Sequence, residues 1–178
     1  YNWSGPDGFT NTSQNPTISN TQIANAGTYT VNLTNTTTGC ETVETTIVEV
    51  NPNPTISASN TGAYCEGETI ELNAIGSGGN TYVWTGPNSF SSSDENPVIS
   101  NAQTIDGGTY NIVLSNSATG CSANASTIVV VNANPNLSSS NTGPYCVGET
   151  IELIATGSGG TSYNWSGPDG FTNTSQNP

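Results

Sequence analysis

Residues 1–16 recur letter for letter as residues 163–178, an offset of 162, and the related segment YVWTGPNSF begins halfway, at offset 81. A fixed period predicts that each unit is one structural module and that the chain is a stack of such modules. The first and third copies agree at all 16 positions, whereas the first and second share only seven. We therefore expect a window on a longer polymer in which two types of module alternate.

Charge excludes several functions. The chain has no Lys, Arg or His and thirteen carboxylates, for a net charge of −13. Nucleic-acid backbones are bound chiefly through Lys and Arg, so nucleic acid is excluded as a partner. Most general bases and activated nucleophiles depend on His or Lys, so the chain is predicted not to be an enzyme. No run of 18 apolar residues occurs, so no membrane span is predicted.

Hydrophobic patterning predicts strands and no helices. The strand-like runs are TIELNA (69–74), TYVWT (81–85), TYNIVLS (109–115) and STIVVV (126–131). Turn compositions rich in Gly, Asn, Asp and Ser separate them. The fold class predicted is all-β, with tandem β-sandwich modules of about 81 residues. Residues 53–133 form one complete module, residues 1–52 the C-terminal part of a module, and residues 134–178 the N-terminal part of the next.

Four motifs of the complete module resemble the immunoglobulin-like pattern in order and spacing. They are Gly67-x-x-Ile70-x-Leu72-x-Ala74, Val83-Trp84, PVISNA (97–102) and Asp106-x-Gly108-x-Tyr110-x-Ile112. The resemblance implies strands B, C and E and a tyrosine corner entering strand F. More closely, the chain resembles the cysteine-containing, PKD-like repeats of long secreted or cell-surface proteins of Bacteroidota. That resemblance implies an extracellular or cell-surface location.

The chain departs from the immunoglobulin-like pattern at its core. Ala74 and Ile112 stand where immunoglobulin domains place the two cysteines of the inter-sheet disulfide. An apolar packing is predicted to replace it, built from Tyr82, Trp84, Ile99, Tyr110 and Ile112. The repeated core aromatics are predicted to be Trp3, Trp84, Trp165, Tyr29 and Tyr110. Asn25 replaces Asp106 in the first repeat, so the turn-capping role of this position is expected to survive loss of the charge.

The four cysteines form two pairs related by the 81-residue period, Cys40 with Cys121 and Cys65 with Cys146. In an exported chain they are expected to form disulfides, and three pairings are open. Cys65 could bond the cysteine of the Cys121 type one repeat further on, which would staple neighbouring modules. Cys65 could bond Cys121 within one module, a strained pairing if they lie at opposite poles. Cys40 and Cys65 could close a hairpin about the Asn-Pro-Asn-Pro junction at 51–54.

The carboxylates offer one weak metal site. Glu66, Glu68 and Glu71 could supply oxygen ligands for Ca²⁺ at a module junction, together with Glu41, Glu44 and Glu49 on the preceding strand. Solubilising carboxylates are the favoured interpretation, and no other cofactor is expected. Eight asparagines stand in N-x-S/T sequons, so glycosylation is a further prospect.

The function predicted is a structural extracellular fibre or stalk whose partners are neighbouring copies of the same repeat. One alternative is a cell-surface adhesin whose loops bind a glycan or protein, and another is a set of accessory modules of a secreted enzyme. Adhesive loops should vary between modules, whereas these loops repeat unchanged at offset 162. This repetition favours the fibre.

Overall fold

The computed structural model describes all 178 residues, and the chain is all-β. Its sixteen strands are β1 Asn2–Ser4, β2 Thr10–Asn11, β3 Gly27–Thr34, β4 Glu41–Val48, β5 Thr55–Asn60, β6 Ala63–Cys65, β7 Ile70–Ser77, β8 Thr81–Thr85, β9 Ser91–Ser92, β10 Val98–Ile99, β11 Gly108–Ser115, β12 Ser122–Asn132, β13 Asn136–Asn141, β14 Leu153–Ser158, β15 Trp165–Ser166 and β16 Thr172–Asn173. Four 3₁₀ helices of three residues each, absent from the prediction, occur at Pro6–Gly8, Ile23–Asn25, Thr104–Asp106 and Pro168–Gly170. Such turns are too short to leave a hydrophobic period in the sequence.

Strands β5 to β12 form two sheets, and all of them lie within residues 55–132. One sheet has the order β10-β7-β5 and the other the order β6-β12-β11-β8-β9. β6 joins the edge of the second sheet in parallel, with Ala63 opposite Val130 and Cys65 opposite Asn132. This strand order defines an immunoglobulin-like β-sandwich.

The core of this sandwich is made of inward-facing residues that alternate along its strands. In β7, Ile70, Leu72 and Ala74 are buried while Glu71 between them is exposed. The largest fully buried side chains are Trp84, Tyr110, Ile70, Leu72, Ile112, Leu114 and Val129. Of the five residues predicted to replace the core disulfide, Tyr82 and Ile99 are only half-buried.

The remaining strands form smaller sheets. Residues 2–48 form one four-stranded sheet of order β2-β1-β3-β4, in which β3 and β4 pair antiparallel from Gly27↔Val48 to Thr34↔Glu41. Toward the C-terminus, β13 pairs antiparallel with β14, and β15 with β16. Neither of these two pairs joins a larger sheet.

The chain divides into two compact units. The first comprises Tyr1–Ser57, Ile75–Tyr82 and Val113–Ala125, and the second comprises Ala58–Ala74, Val83–Ile112 and Ser126–Pro178. The division into modules at 52/53 and 133/134 stays a prediction. None of the four three-residue helices has the length or the hydropathy of a membrane-spanning helix.

Candidate assembly site at the module junctions

The repeated aromatics have partners within their own segments. The Tyr110 hydroxyl donates a 2.8 Å hydrogen bond to the backbone carbonyl of Asp106, and Tyr29 donates a 2.9 Å bond to the carbonyl of Asn25. Burial raises the pKa of the Tyr110 hydroxyl, and the negative charge of Asp106 raises it further. Each bond fixes one turn: the Tyr110 bond fixes the turn that leads into β11, and the Tyr29 bond fixes the turn that leads into β3.

Each of the three tryptophans donates a hydrogen bond to a backbone carbonyl of the loop that follows it. The Nε1 of Trp84 donates a 3.1 Å hydrogen bond to the backbone carbonyl of Glu95. Trp3 and Trp165 donate bonds of 3.1 and 3.0 Å to the carbonyls of Ser13 and Ser175, whose position in the repeat is one residue earlier. Trp84 is fully buried, whereas Trp3 and Trp165 are half-buried. All three indoles therefore have a structural role, and Trp84 has no face open to a ligand.

One type of cysteine lies in the turn before β12. Asn116 shapes this turn: its Oδ1 accepts a 3.0 Å hydrogen bond from the amide of Ala118, and its Nδ2 donates a 2.9 Å bond to the carbonyl of Gly78. At the end of the turn, the Sγ of Cys121 lies 3.8 Å from the backbone carbonyl oxygen of Asn51. Asn51 begins the Asn-Pro-Asn-Pro junction, so this thiol points at the junction.

The other type of cysteine immediately precedes a turn, and Cys65 is the last residue of β6. The amide of Cys65 donates a 2.8 Å hydrogen bond to the carboxylate of Glu68, and Cys146 makes the same bond to Glu149 at 2.7 Å. The next amide, that of Glu66, donates a 2.9 Å bond to the carbonyl of Asn132. Cys65 therefore lies beside the second junction, residues 132–135.

The two cysteine types approach the same position of the repeat. Asn51 and Asn132 are 81 residues apart and so occupy equivalent positions. At the first junction, the carbonyl oxygen of Asn51 faces the Cys121 thiol. At the second, the carbonyl oxygen of Asn132 accepts a hydrogen bond from the amide of Glu66, the residue after Cys65. In a continuous array, a cysteine of each type would flank every junction.

Pairing within one module is incompatible with the strand geometry. The two cysteines stand at opposite ends of β12, which contains eleven residues. Cys121 immediately precedes the first residue of the strand, and Cys65 pairs with its last residue, Asn132. At about 3.3 Å per residue the strand spans roughly 33 Å, whereas a disulfide requires Cα atoms within about 7 Å. All four cysteines are free thiols in the structure. Their pairing between modules therefore stays a prediction.

The predicted calcium ligands do not converge. The Glu68 carboxylate caps the amide of Cys65, an oxygen of Glu66 lies 3.5 Å from the amide of Asn134, and Glu71 is exposed. On the preceding strand, Glu41 accepts a hydrogen bond of 3.1 Å from Thr34. Glu44 and Glu49 are exposed. The chain contains no group of three or more His, Cys, Asp or Glu residues that could hold a metal ion.

Two apolar clefts lie outside the complete sandwich. One is lined by Trp3, Phe9, Ile18, Tyr29 and Val48 of the four-stranded sheet. The other lies beside the β13–β14 hairpin and is lined by Pro135, Leu137, Tyr163 and Trp165. Both clefts lie in segments predicted to be parts of modules, residues 1–52 and 134–178.

Comparison with known proteins found solved structures only. No protein-family profile and no curated protein matches the chain. The chain is similar to the N-terminal four Ig domains of Dscam1 isoform 4.44 (TM-score 0.39, 16% identity, 74% of this chain and 37% of that one). It is also similar to the ectodomain of mouse nectin-like molecule 4 (TM-score 0.41, 20% identity, 61% of this chain and 41% of that one). A third similar structure is amphioxus IgVJ-C2 (TM-score 0.38, 16% identity, 72% of this chain and 86% of that one). The chain thus spans about two fifths of the length of the first two, and its class, an immunoglobulin-like β-sandwich, rests on the strand order described above.

Proposed function

We propose that the protein is a non-catalytic structural component of an extracellular fibre or stalk. In this proposal, tandem immunoglobulin-like repeats form a long and durable fibre, and its length and durability are what the protein contributes. The partners of each repeat are neighbouring copies of the same repeat. The resemblance of the sequence to repeats of long surface proteins supports an extracellular location.

The observation that carries the proposal is the anchoring of both junctions by residues of the turns beside them. At the second junction, the Nδ2 of Asn134 donates a 2.9 Å hydrogen bond to the carbonyl of Glu66, and the Glu66 amide bonds the carbonyl of Asn132. At the first, the Cys121 thiol lies against Asn51. Proline-bearing linkers of this length are already stiff. Linkers that are also held by neighbouring turns favour a rigid array over a string of freely hinged modules.

Composition also suits a durable extracellular material. With no Lys or Arg, the chain has no cleavage site for trypsin-like proteases, and with no Met it lacks one common target of oxidation. The thirteen carboxylates give every copy the same sign of charge, which opposes unwanted lateral association. An adhesin would gain nothing from loops that repeat unchanged.

Electron microscopy of the native material tests this function. We expect filaments with an axial repeat of about 35–45 Å per module, the rise expected for beads on one chain. Because two module types alternate, the period of identical features should be twice that rise. Isolated globular particles, or a rise of less than about half the expected value, would contradict the proposal.

A further inference from the structure

Three adjacent strands of the five-stranded sheet, β8, β11 and β12, contain no charged residue. Their inward side chains, among them Trp84, Tyr110 and Val129, are buried in the core of the sandwich. The side chains between them project to the outside. We define the neutral face by seven of these exposed side chains: Val83, Thr85, Thr109, Asn111, Ser126, Ile128 and Val130.

The carboxylates of the complete module lie away from the neutral face. They stand after β6, on β7 of the other sheet, in the loop between β9 and β10, and in the turn before β11: Glu66, Glu68, Glu71, Asp94, Glu95 and Asp106. The chain has no cationic side chain to offset them. The neutral face is therefore a surface on which an approaching anionic molecule meets no charge of its own sign.

The neutral face also contains exposed apolar side chains. Ile128 is 68% exposed, Val130 50% and Val83 44%. In β12 the outward Ile128 and Val130 alternate with Val129 and Val131, so the strand ends in four consecutive apolar residues. An antiparallel sheet with one solvated face usually alternates apolar with polar residues, and an uninterrupted apolar run is typical of a strand covered on both faces. The outer side of β12 thus has the composition of a covered surface.

The other type of repeat keeps the strands but not this composition. The equivalent of Val130 is Glu49, which interrupts the apolar run in the first repeat. The equivalents of Val83 are Asn2 and Asn164. The same strand therefore forms with a carboxylate at the Val130 position, so the fold does not require an apolar residue there. The exposed valines are specific to the module of residues 53–133.

We propose that the neutral face binds the neutral face of a second copy of the chain, so that fibres associate side by side. Two sheets that pack face to face lie about 10 Å apart, which removes water from Ile128, Val130 and Val83. The interface is a pair of stacked sheets, with apolar side chains at its centre and Thr, Ser and Asn around them. This inference rests on the proposed function, since a fibre presents many copies of the face.

Charge identifies the occupant as a second copy. A cationic partner would be drawn to the carboxylates, which lie elsewhere on the module, and nothing on the neutral face would hold it. A second copy carries the same charge of −13 and is repelled wherever carboxylates face each other. The neutral face lets two such copies approach closely, and it offers each of them the apolar surface of the other.

The period of the repeat adds a second argument for a copy of the same chain. With two module types in alternation, the neutral face recurs every 162 residues along a fibre. A second fibre has the same spacing, so one contact brings the next pair of faces together and weak contacts accumulate. A single globular partner has no such spacing and would gain only one weak contact.

Sedimentation equilibrium of the reduced 178-residue chain, at concentrations up to about 1 mM, tests the contact. We expect a reversible dimer whose association strengthens from about 0.1 M to about 1 M NaCl, because salt screens the repulsion between the carboxylates and leaves the uncharged contact intact. A mass that stays monomeric at every concentration and salt would overturn the proposal. Association that weakens as salt is added would also overturn it.

Substitutions taken from the other repeat locate the contact. Val130→Glu should weaken the dimer about a hundredfold or more, because it buries a carboxylate. Val83→Asn should weaken it about tenfold and introduces no charge. The matched control is Val98→Thr, which also introduces the residue of the other repeat, Thr17; Val98 is 59% exposed and lies in β10 of the opposite sheet. Circular dichroism checks that each variant is folded.

The two valines and the control together decide the result. Full dimerisation of the folded Val130→Glu and Val83→Asn chains, or an equal loss in Val98→Thr, would show that the chain associates through another surface and would overturn the proposal.

Electron microscopy of the native material separates this inference from the proposed function. We expect filaments that lie side by side at high salt, with bridges at every second module. Filaments that stay single at every salt concentration would overturn the lateral contact and leave the proposed function standing. A chain that dimerises through the neutral face, from a source without filaments, would contradict the function alone.

Discussion

The side-chain amide of Asn88 donates a 3.0 Å hydrogen bond to the carboxylate of Asp106, and the first repeat makes this contact with donor and acceptor exchanged. There, Asn25 at the Asp106 position donates a 3.4 Å bond to Asp7 at the Asn88 position. Asp106 is also buried and accepts a 2.8 Å bond from the amide of Gln103. The repeats preserve one amide and one carboxylate, whichever position carries the charge.

This exchange predicts a strong coupling between Asn88 and Asp106. Asn88→Asp should destabilise the fold by about 1–3 kcal/mol, because it places two carboxylates within hydrogen-bonding distance in a partly buried site. Asp106→Asn should cost less, and the double variant should recover most of the loss. Chemical denaturation of the four proteins gives the coupling free energy. If the destabilisation in the double variant equals the sum of the two single-variant values, the contact between Asn88 and Asp106 does not contribute to stability.

Removal of the Tyr110 hydroxyl should lower stability and reduce its dependence on alkaline pH. Tyr110→Phe loses the bond to the Asp106 carbonyl, at a cost of about 1 kcal/mol near pH 7. The pKa of Tyr110 is raised in the folded state, so its contribution is complete below the unfolded pKa and is lost as pH rises through the folded pKa. The stability difference between wild type and variant should therefore shrink in the alkaline range. A difference that stays constant there would contradict this account.

Gly86 is required because the ring of Tyr110 lies against it. A Cβ at this position would overlap the ring, whereas at Gly160 the nearest atom, the Cβ of Pro135, would be 3.7 Å away. Gly86→Ala should thus cost about 1–3 kcal/mol through displacement of the tyrosine, and Gly160→Ala close to nothing. Thermal unfolding of both variants measures the contrast. Equal unfolding temperatures would mean that the ring moves aside freely.

The side chain of Asn116 should control how accessible the Cys121 thiol is. Asn116→Ala removes the bonds to Ala118 and Gly78 that shape the turn. We expect Cys121 to react with a thiol reagent several-fold faster in this variant, while Cys146 in the same sample keeps its rate and serves as the internal control. Mass spectrometry of the modified peptides over time gives both rates. An unchanged Cys121 rate would show that the turn keeps its shape without this side chain.

The sequence predicted the strands whose side chains alternate or branch at Cβ. TYVWT at 81–85 coincides with β8, and TYNIVLS at 109–115 lies within β11. PVISNA was expected to be strand E, but the regular strand comprises only Val98–Ile99, and Asn101 beyond it adopts a positive φ of 55° that is incompatible with a strand. Strand β6 was not predicted, because three residues carry no period and their pairing with the parallel edge of β12 is a tertiary contact.

The candidate site was harder to predict than the strands. The period sorted the four cysteines into two types but left three pairings open, and only tertiary contacts show that both types approach the carbonyl of one repeated asparagine.

The identity of residues 1–16 with residues 163–178 has a consequence for how the period can be measured. An antibody raised against this segment would bind at both copies, because they have one sequence and form the same short strand pair. Bound antibodies would therefore mark positions 162 residues apart, and their spacing in electron micrographs would give the length of the double repeat directly.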